Sequence, residues 1–120
     1  MNKVSDPAGQ PQVLTIVHPN TKQPILVGLL DEEEAMNWPS AIRLQEAALN
    51  GWRLPTIDEL EAMYEQLHKN GHGSFRNDNY WSSSASSPQH SWYVSFSNGS
   101  TSDALNKLGA LVRLVKAKEV

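Results

Sequence analysis

The sequence predicts one small α+β domain in which two helices follow two early strands and most of the sheet comes late. Three observations support this: two apolar segments near the N-terminus, two amphipathic segments with helical spacing before residue 70, and alternating apolar and polar residues after residue 80. A chain of 120 residues suits a single domain, and 39% hydrophobic against 19% charged residues favours a packed core over disorder. We expect a flexible N-terminal segment over residues 1–11 and one folded domain over residues 12–117.

The two early strands are predicted to form a hairpin. Residues 12–17 are rich in β-branched side chains, and residues 25–30 form a second apolar run. Residues 18–21 between them, His-Pro-Asn-Thr, are typical of a turn. An acidic run follows at residues 31–34, and we interpret it as a solvated loop or the approach to a helix rather than a cation site.

Two helices are predicted in the first half of the chain. Pro39 suits the first position of a helix over residues 39–49, because its missing N–H would have no helical partner there. The second helix is marked by a capping box, in which the Thr56 hydroxyl and the Glu59 carboxylate each satisfy an unpaired backbone N–H. Apolar residues recur on one face of each segment, so both helices are expected to pack on a core.

Four short strands are predicted in the second half, at residues 80–83, 92–97, 100–104 and 111–115. In the second of these, Trp92, Val94 and Phe96 alternate with polar or amphipathic residues. We therefore expect these three side chains to point into the core and Tyr93 to point outward. The Asn-Gly pair at residues 98–99 predicts a two-residue type I′ turn, which needs a positive φ angle at both positions.

Composition excludes several classes of function. The chain has no cysteine, which removes disulfides, thiolate metal sites and cysteine nucleophiles and fits a reducing compartment. A net charge of -3, a pI of about 5.7 and the absence of a Lys/Arg cluster argue against nucleic-acid binding. The first residues lack the apolar core of a signal peptide, and no apolar run reaches the length of a membrane span. We expect a protein that is cytoplasmic as synthesised and does not insert into membranes.

Five sequence boxes, taken in order, carry a resemblance to one family. They are Trp38 with Ala41-Ile42, Gly-Trp-Arg-Leu-Pro-Thr at 51–56 with Glu59-Leu60, Tyr-Trp-Ser-Ser at 80–83, Trp-Tyr-Val-Ser-Phe at 92–96 with Gly99, and Val-Arg-Leu-Val at 112–115. Together they resemble the bacterial Lcl C-terminal domain-like family, named after the C-terminal domain of a collagen-like adhesin. That family is related to the formylglycine-generating-enzyme branch of the C-type lectin-like fold. The resemblance covers about residues 36–117, and the Trp-Arg-Leu-Pro-Thr box is its most specific part.

The resemblance implies a compact C-type lectin-like fold, with two helices flanking short antiparallel sheets and with the N- and C-terminal strands paired. We therefore expect Val13, Leu14 and Ile16 to pair with the strand around residues 112–115 or to lie beside it. The resemblance also implies binding or adhesive roles, since members occur in surface proteins, phage-associated proteins and the diversified receptors of diversity-generating retroelements. The formylglycine branch works through cysteines, so that activity is not carried over to this chain.

Some residues of these boxes are assigned structural roles. Arg53 precedes a capped helix, where loop carbonyls need donors, so we interpret its guanidinium as bonding backbone carbonyls rather than an external anion. Arg113 in the last strand is interpreted in the same way. The structural set is Trp52, Arg53, Leu54, Pro55, Thr56, Trp81 and Arg113. The predicted core is Trp52, Leu54, Leu60, Tyr64, Trp81, Trp92, Phe96, Val112 and Leu114.

Three groups of residues resemble a metal site or a catalytic site, but the sequence favours a structural interpretation of each. Residues 77–79, Asn-Asp-Asn, offer only a few of the roughly six to eight oxygen ligands that calcium takes, so a polar turn is favoured. His90 and Asp103 could complete a hydrolytic triad with a serine, but no nucleophile-elbow sequence is present. His68 and His72 lie at a predicted helix break and are interpreted as loop residues. We expect no catalytic residue, no metal and no cofactor.

The remaining candidate is a surface rich in serine, asparagine and aromatic residues between about residues 77 and 100. Binding loops share this composition, although small polar residues also solvate loops and sheet faces. Tyr93 is the expected anchor, because an exposed tyrosine offers a large area and a polar tip. The predicted ligand contacts are Asn77, Asn79, Tyr80, Ser84, Gln89, His90, Tyr93, Ser95, Ser97 and Ser100.

The sequence and the resemblance together predict a non-catalytic ligand-binding or adhesive module of bacterial or phage origin. Its expected partner is a protein or cell-surface component, bound through the late loops and the hairpin, and not a nucleic acid. The alternative is a structural or assembly subunit, such as a phage-particle component or a homo-oligomer, and an enzyme is the third hypothesis. A phage particle or non-classical export would also be compatible with the missing signal peptide.

Overall fold

The computed structural model describes residues 14–29, 31–32, 34–48 and 50–118. Within this part of the chain the elements are, in order, β1 (Leu14–Val17), β2 (Pro24–Val27), α1 (Trp38–Ala47), α2 (Ile57–Gln66), a 3₁₀ turn (His68–Asn70), β3 (Asn79–Ser87), β4 (His90–Ser95), β5 (Thr101–Leu105) and β6 (Val115–Ala117). The strands form two three-stranded antiparallel sheets, ordered β1-β2-β6 and β3-β4-β5. The predicted compact α+β fold is confirmed. The N-terminal segment predicted over residues 1–11 lies outside the described residues.

The first sheet joins the two ends of the chain. β2 pairs with β1 on one side and with β6 on the other, so that Val27 lies opposite Val115. The predicted pairing of N- and C-terminal strands is therefore confirmed. The finer expectation that Leu14 and Ile16 lie directly beside the last strand is wrong, because β2 separates β1 from β6. Val13 lies outside the described residues.

The last strand begins later than predicted. Residues 111–115 were expected to form it, but the paired strand is β6, and the residues before it make single bridges instead. Ala110 bridges Met36, and Leu111 bridges Tyr80. This segment therefore runs between the two sheets and contacts both. Because both sides of the segment are covered, Leu111 and the two residues after it are all buried. In a half-buried strand, by contrast, every second side chain would face solvent.

Both helices begin at side-chain caps. The Ser40 N–H donates to Asn37 Oδ1 at 2.9 Å, so α1 starts one residue earlier than predicted and holds Pro39 in its first turn. At α2 the Glu59 N–H donates to the Thr56 hydroxyl at 3.3 Å, and the Thr56 N–H donates to Glu59 Oε1 at 2.9 Å. The predicted capping box is thus confirmed in both directions.

The hairpin that joins β4 and β5 is present, but its turn is not the predicted type I′. Gly99 has a φ angle of 81°, whereas Asn98 does not have a positive φ angle. The Ser95 N–H donates to Ser100 O at 2.9 Å, and the Gly99 N–H donates to Ser95 O, which closes a loop of four residues. The loop is longer because it carries Phe96 into the core, where only 1% of this residue is exposed.

Two clusters of buried residues form the core. The larger lies between the first sheet, α2 and one face of the second sheet, and includes Leu60, Tyr80 and Phe96. The smaller lies between α1, the segment before β6 and the other face of the second sheet, and includes Trp81 and Val112. Five predicted core residues are buried: Leu54, Leu60, Trp81, Phe96 and Val112. The other four are only half-buried: Trp52, Tyr64, Trp92 and Leu114.

Candidate ligand-contact surface

Tyr93 packs against the smaller core cluster instead of pointing freely into solvent. It lies opposite Trp81 in the β3–β4 ladder, and the two rings meet edge to face with centroids 6.4 Å apart. Its strand neighbour Val94 faces the larger cluster on the opposite side of the sheet. The sheet is therefore covered on both faces at this point. Tyr93 is half-buried, so only part of its ring remains for a ligand, and its role as an anchor stays a prediction.

Trp92 is the aromatic residue that the core leaves partly uncovered. It is half-buried and, within the described residues, belongs to neither core cluster. The indole N–H groups of Trp38 and Trp81 donate to backbone carbonyls at 2.9 and 2.8 Å. The indole N–H of Trp92 makes no hydrogen bond to any residue that the structure describes. The prediction that Trp92 is a core residue is wrong, and its side chain is available for contact.

Polar side chains border Trp92. Asp103 on β5 lies directly opposite Trp92, so both side chains project from the same face of the sheet. The Asp103 carboxylate accepts a 2.8 Å hydrogen bond from Ser86 Oγ on β3, and this bond crosses β4. His90, two residues before Trp92 and on the same face, places Nδ1 2.9 Å from Ser87 Oγ. We call Ser86, His90, Trp92 and Asp103 the Trp92 face.

A groove of about 390 Å³ lies at the same end of the sheet. It is bounded by the start of α1, the turn between β3 and β4, and the end of β5. The Gln89 side chain is exposed there and makes no hydrogen bond within the described residues, so its amide is free to bind another molecule. The residues that line the groove are Asn37, Pro39, Pro88, Gln89, Leu105, Asn106 and Lys107.

The predicted contact residues do not form one surface. Asn79 is paired with Ser95 at one end of the β3–β4 ladder, whereas His90 is paired with Ser87 at the other. At about 3.3 Å per residue, these two ends lie roughly 17 Å apart. Ser84, Gln89 and His90 belong to the end with the groove. The other end holds Asn77, Asn79, Ser95, Ser97 and Ser100.

Several of these predicted side chains already bond within the chain. Such bonds stabilise turns and helix ends, and they reduce what the side chains can offer to a ligand. The bonds join Ser84 Oγ to the Ile57 N–H (3.3 Å), Asn77 Oδ1 to His68 Nε2 (2.8 Å), Ser95 Oγ to Ser97 Oγ (2.8 Å) and Ser100 Oγ to Asn98 Oδ1 (2.8 Å).

Tyr80 is part of the core, and its assignment as a ligand contact is wrong. Its exposed fraction is 0%. The hydroxyl donates to Asp31 Oδ2 at 2.7 Å and accepts from the Arg76 N–H at 2.9 Å. Burial of the phenol, which disfavours its charged form, raises the pKa of Tyr80. The strand pattern around Tyr80 did not reveal this, because its partner Asp31 is 49 residues away in sequence.

Arg113 bonds backbone carbonyls, as predicted. Its guanidinium donates to the carbonyl oxygens of Gly28 (3.0 Å), Gly73 (2.8 Å) and Ser74 (3.2 Å), and lies 4.1 Å from the centroid of the Phe75 ring. The remaining bond goes to the Asp31 carboxylate at 2.8 Å. Asp31 is therefore a buried counter-ion, which corrects the interpretation of this part of the acidic run as a solvated loop.

The main partner of Arg53 is a carboxylate rather than a backbone carbonyl. Its guanidinium makes a two-pronged contact to Glu59 at 2.7 and 2.9 Å and one weaker bond to Leu54 O at 3.2 Å. The bonds to Glu59 raise the pKa of Arg53. Burial acts to raise the pKa of Glu59, but the bonds from Arg53 and from the Thr56 backbone outweigh it and lower that pKa. The ion pair ties the specific sequence box to the start of α2.

The groups weighed for a hydrolytic triad do not form one chain of hydrogen bonds. His90 contacts Ser87, whereas Asp103 contacts Ser86. Over residues 14–29, 31–32, 34–48 and 50–118, no three His, Asp or Glu side chains converge as they would around a metal ion. In the same ranges, no helix has both the length and the apolar character to cross a bilayer.

The fold and the surface define a small α+β domain with a partly exposed tryptophan and a groove at one end of its second sheet. The profile of the Lcl C-terminal domain matches residues 12–116. The chain therefore belongs to the Lcl C-terminal domain family, as its sequence boxes indicated. No curated protein matches the chain.

Proposed function

We propose that the protein is a non-catalytic binding module that recognises a protein or cell-surface component through the Trp92 face and the adjoining groove. The observation that carries this proposal is the half-buried Trp92, whose indole N–H has no partner among the described residues. A large aromatic ring with an unsatisfied donor gains both apolar contact and a hydrogen bond when a ligand covers it.

The surroundings of Trp92 support the same proposal. The ring projects from a paired strand, so little conformational freedom is lost on binding. Asp103, Ser86 and His90 supply acceptors and donors around it, and Gln89 supplies a free amide in the groove next to it. Apolar contact at the centre with polar groups at the rim is the usual arrangement of a recognition surface.

A structural or assembly role is the second candidate. Among the residues that the structure describes, three large apolar side chains are about half exposed: Val17 (48%), Leu29 (50%) and Leu108 (50%). Contacts between copies would cover such residues. Size-exclusion chromatography with light scattering separates the candidates, since a stable oligomer that buries Trp92 favours assembly and a monomer favours ligand binding.

The binding proposal is tested by a screen of host-surface glycans and proteins with the parent protein and two matched variants. Trp92→Ala is expected to weaken binding at least tenfold, which corresponds to about 1.4 kcal/mol for a moderate hot spot. Trp52→Ala removes another half-buried tryptophan, in the box before α2, and is expected to leave affinity within about twofold. His90→Ala is expected to fall between them. Equal affinity of the parent and Trp92→Ala for a ligand found in the screen would place the binding surface elsewhere.

A further inference from the structure

Sheet edges are usually protected in soluble proteins, and within the described residues three of the four edges in this fold are occupied at one or more positions. The Val17 N–H on β1 donates to Gln66 Oε1 at 2.8 Å, and Gln66 Nε2 donates back to Val17 O at 2.9 Å. On β6, Val115 exchanges two 2.8 Å backbone bonds with Arg53. The glutamine side chain and the Arg53 backbone therefore occupy positions that an added strand would need.

The outer edge of β3 is blocked in a different way. Over its first half, the Trp81 N–H donates to Leu111 O at 3.0 Å and the Ser83 N–H donates to Pro55 O at 2.8 Å. Its second half contains two register shifts, between Trp81 and Ala85 and between Ala85 and Ser87. Such irregularities disrupt pairing with another strand.

β5 is different, because its outer edge is open. It is the last strand of the β3-β4-β5 order, and its first three residues are all exposed. The Ser95 N–H donates to Ser100 O, and the Asn106 N–H donates to Gln89 O. These two bonds show which residue pairs of the β4–β5 ladder are hydrogen-bonded, and every second pair between them is hydrogen-bonded as well. The backbone groups of Ser102 and Ala104 consequently face β4, while those of Thr101 and Asp103 face away from it. No residue in the described part of the chain pairs with these outward groups.

The acidic groups along the β5 edge indicate which strand could pair with it. If a second copy paired along the full length of the edge in an antiparallel way, Asp103 would lie opposite Asp103, and like charges directly opposite each other are unfavourable. At one end of the edge the Thr101 hydroxyl donates to the Glu61 carboxylate, so a second acidic group lies there. Lys107 follows the strand in the turn at the groove and does not lie opposite this central position.

We infer that the outer edge of β5 is a strand-addition site for an extended peptide segment that carries a lysine or arginine opposite Asp103. Backbone bonds to Thr101 and Asp103 supply the pairing, and the carboxylate selects the basic residue. Leu105 lines the groove, so the edge ends at a pocket that a further side chain of the peptide enters. The inference rests on the proposed function in one respect, namely that the partner is a protein.

The test is selection from a library of random linear peptides displayed on phage, carried out in parallel on the parent and three variants. Asp103→Pro removes an outward N–H without removing a bond to β4, and proline is tolerated at edge strands. Asp103→Lys keeps the backbone donors and reverses the charge. Trp92→Ala alters the neighbouring face and leaves the edge intact. Thermal unfolding is measured first, to establish that each variant is folded.

The parent is expected to enrich peptides with a lysine or arginine within an alternating segment, and Asp103→Pro is expected to lose at least tenfold in affinity for them. Asp103→Lys is expected to enrich acidic peptides instead. In amide hydrogen exchange, bound peptide should slow the Thr101 and Asp103 N–H groups and leave those of Ser102 and Ala104 unchanged. This last readout does not respond to a general loss of stability.

Three results would overturn the inference. They are enrichment without a charge preference, unchanged affinity in both Asp103 variants, and self-association of the parent that Asp103→Pro abolishes. If the strand-addition proposal is refuted but Trp92→Ala still weakens binding of a surface component, the proposed role of the Trp92 face is retained. Conversely, peptides that bind Trp92→Ala as tightly as the parent would support the edge, and the Trp92 face would then be decided by its own screen of surface components.

Discussion

Replacing Arg113 with methionine is expected to lower the free energy of unfolding by about 4 kcal/mol. Methionine keeps most of the length of the side chain, but it removes the guanidinium, including the Cζ atom that lies 4.1 Å from the centroid of the Phe75 ring. That group belongs to a residue that is 1% exposed, and it bonds the Asp31 carboxylate and three loop carbonyls. The variant therefore leaves three carbonyls without their donor, and it leaves the Asp31 carboxylate with the bond from the Tyr80 hydroxyl but without its guanidinium partner.

The magnitude follows from those bonds. Hydrogen bonds to a charged group contribute about 1.5–3 kcal/mol each and do not add in full, while loss of one partner of a buried ion pair costs about 3–5 kcal/mol. Asp31 has a side chain that is only 9% exposed, so water does not replace the lost partner fully. A loss of about 4 kcal/mol is roughly a quarter or more of the stability of a typical domain, which is about 5–15 kcal/mol.

Urea unfolding followed by tryptophan fluorescence measures this loss. With the usual urea dependence, the midpoint is expected to fall by roughly 2–3 M. Arg43→Met is the matched control, because it removes an exposed guanidinium on α1 that makes one 3.2 Å bond to Ser40 Oγ. The control is expected to change stability by less than about 0.5 kcal/mol. A loss below about 1 kcal/mol for Arg113→Met, or equal losses in the two variants, would refute the assigned role of the buried guanidinium.

Four further predictions concern a turn, an ion pair, a carboxylate and metal dependence. Gly99→Ala is expected to lower the free energy of unfolding by about 2–3 kcal/mol, because the φ angle of Gly99 is 81° and a Cβ would lie 2.5 Å from the Tyr64 ring. The control Gly71→Ala has a φ angle of 80° but open space around the new Cβ, and it should lose only about 1 kcal/mol in chemical unfolding. Arg53→Ala should cost about 2–3 kcal/mol, less than for a fully buried pair because water reaches part of the guanidinium; unchanged thermal stability would contradict this. Folding lowers the pKa of Glu59, so the ionised carboxylate contributes fully to the free energy of unfolding above its ordinary pKa of 4.5. This contribution is lost as the pH falls through the pKa of the folded state. The free energy of unfolding of Glu59→Gln should therefore fall less steeply in acid than that of the parent. Thermal melts in calcium and in chelator are expected to coincide, and a shift of many degrees would reveal a metal site.

Local signals in the sequence were sufficient where a few neighbouring residues decide the structure. The Thr56–Glu59 capping box involves residues three apart, and both of its bonds form as predicted. The apolar recurrence of α2 likewise predicted the burial of Leu60. The turn at Asn98 and Gly99 failed because a long-range demand, the burial of Phe96, overrode the local preference for a two-residue turn.

The candidate surface could be predicted only in part, because alternation shows which side chains share a face but not what covers that face. Trp92 and Tyr93 were correctly placed on opposite faces, yet which of the two remains open depends on segments distant in sequence. α1 and the residues before β6 cover the Tyr93 face. Arg113 shows the same limit, since its carbonyl bonds were predicted whereas its counter-ion Asp31, 82 residues earlier, was not.

The position of Arg113 has a consequence for the order in which the protein folds. The guanidinium reaches partners 82 and 85 residues earlier in the chain, and β6 is the third strand of a sheet that starts at β1. During synthesis, which proceeds from the N-terminus, the β1–β2 hairpin is made long before the strand that completes its sheet. Until then β2 has a bare edge and Asp31 lacks the Arg113 guanidinium, so nascent chains that stop short of residue 113 are the form most prone to aggregate.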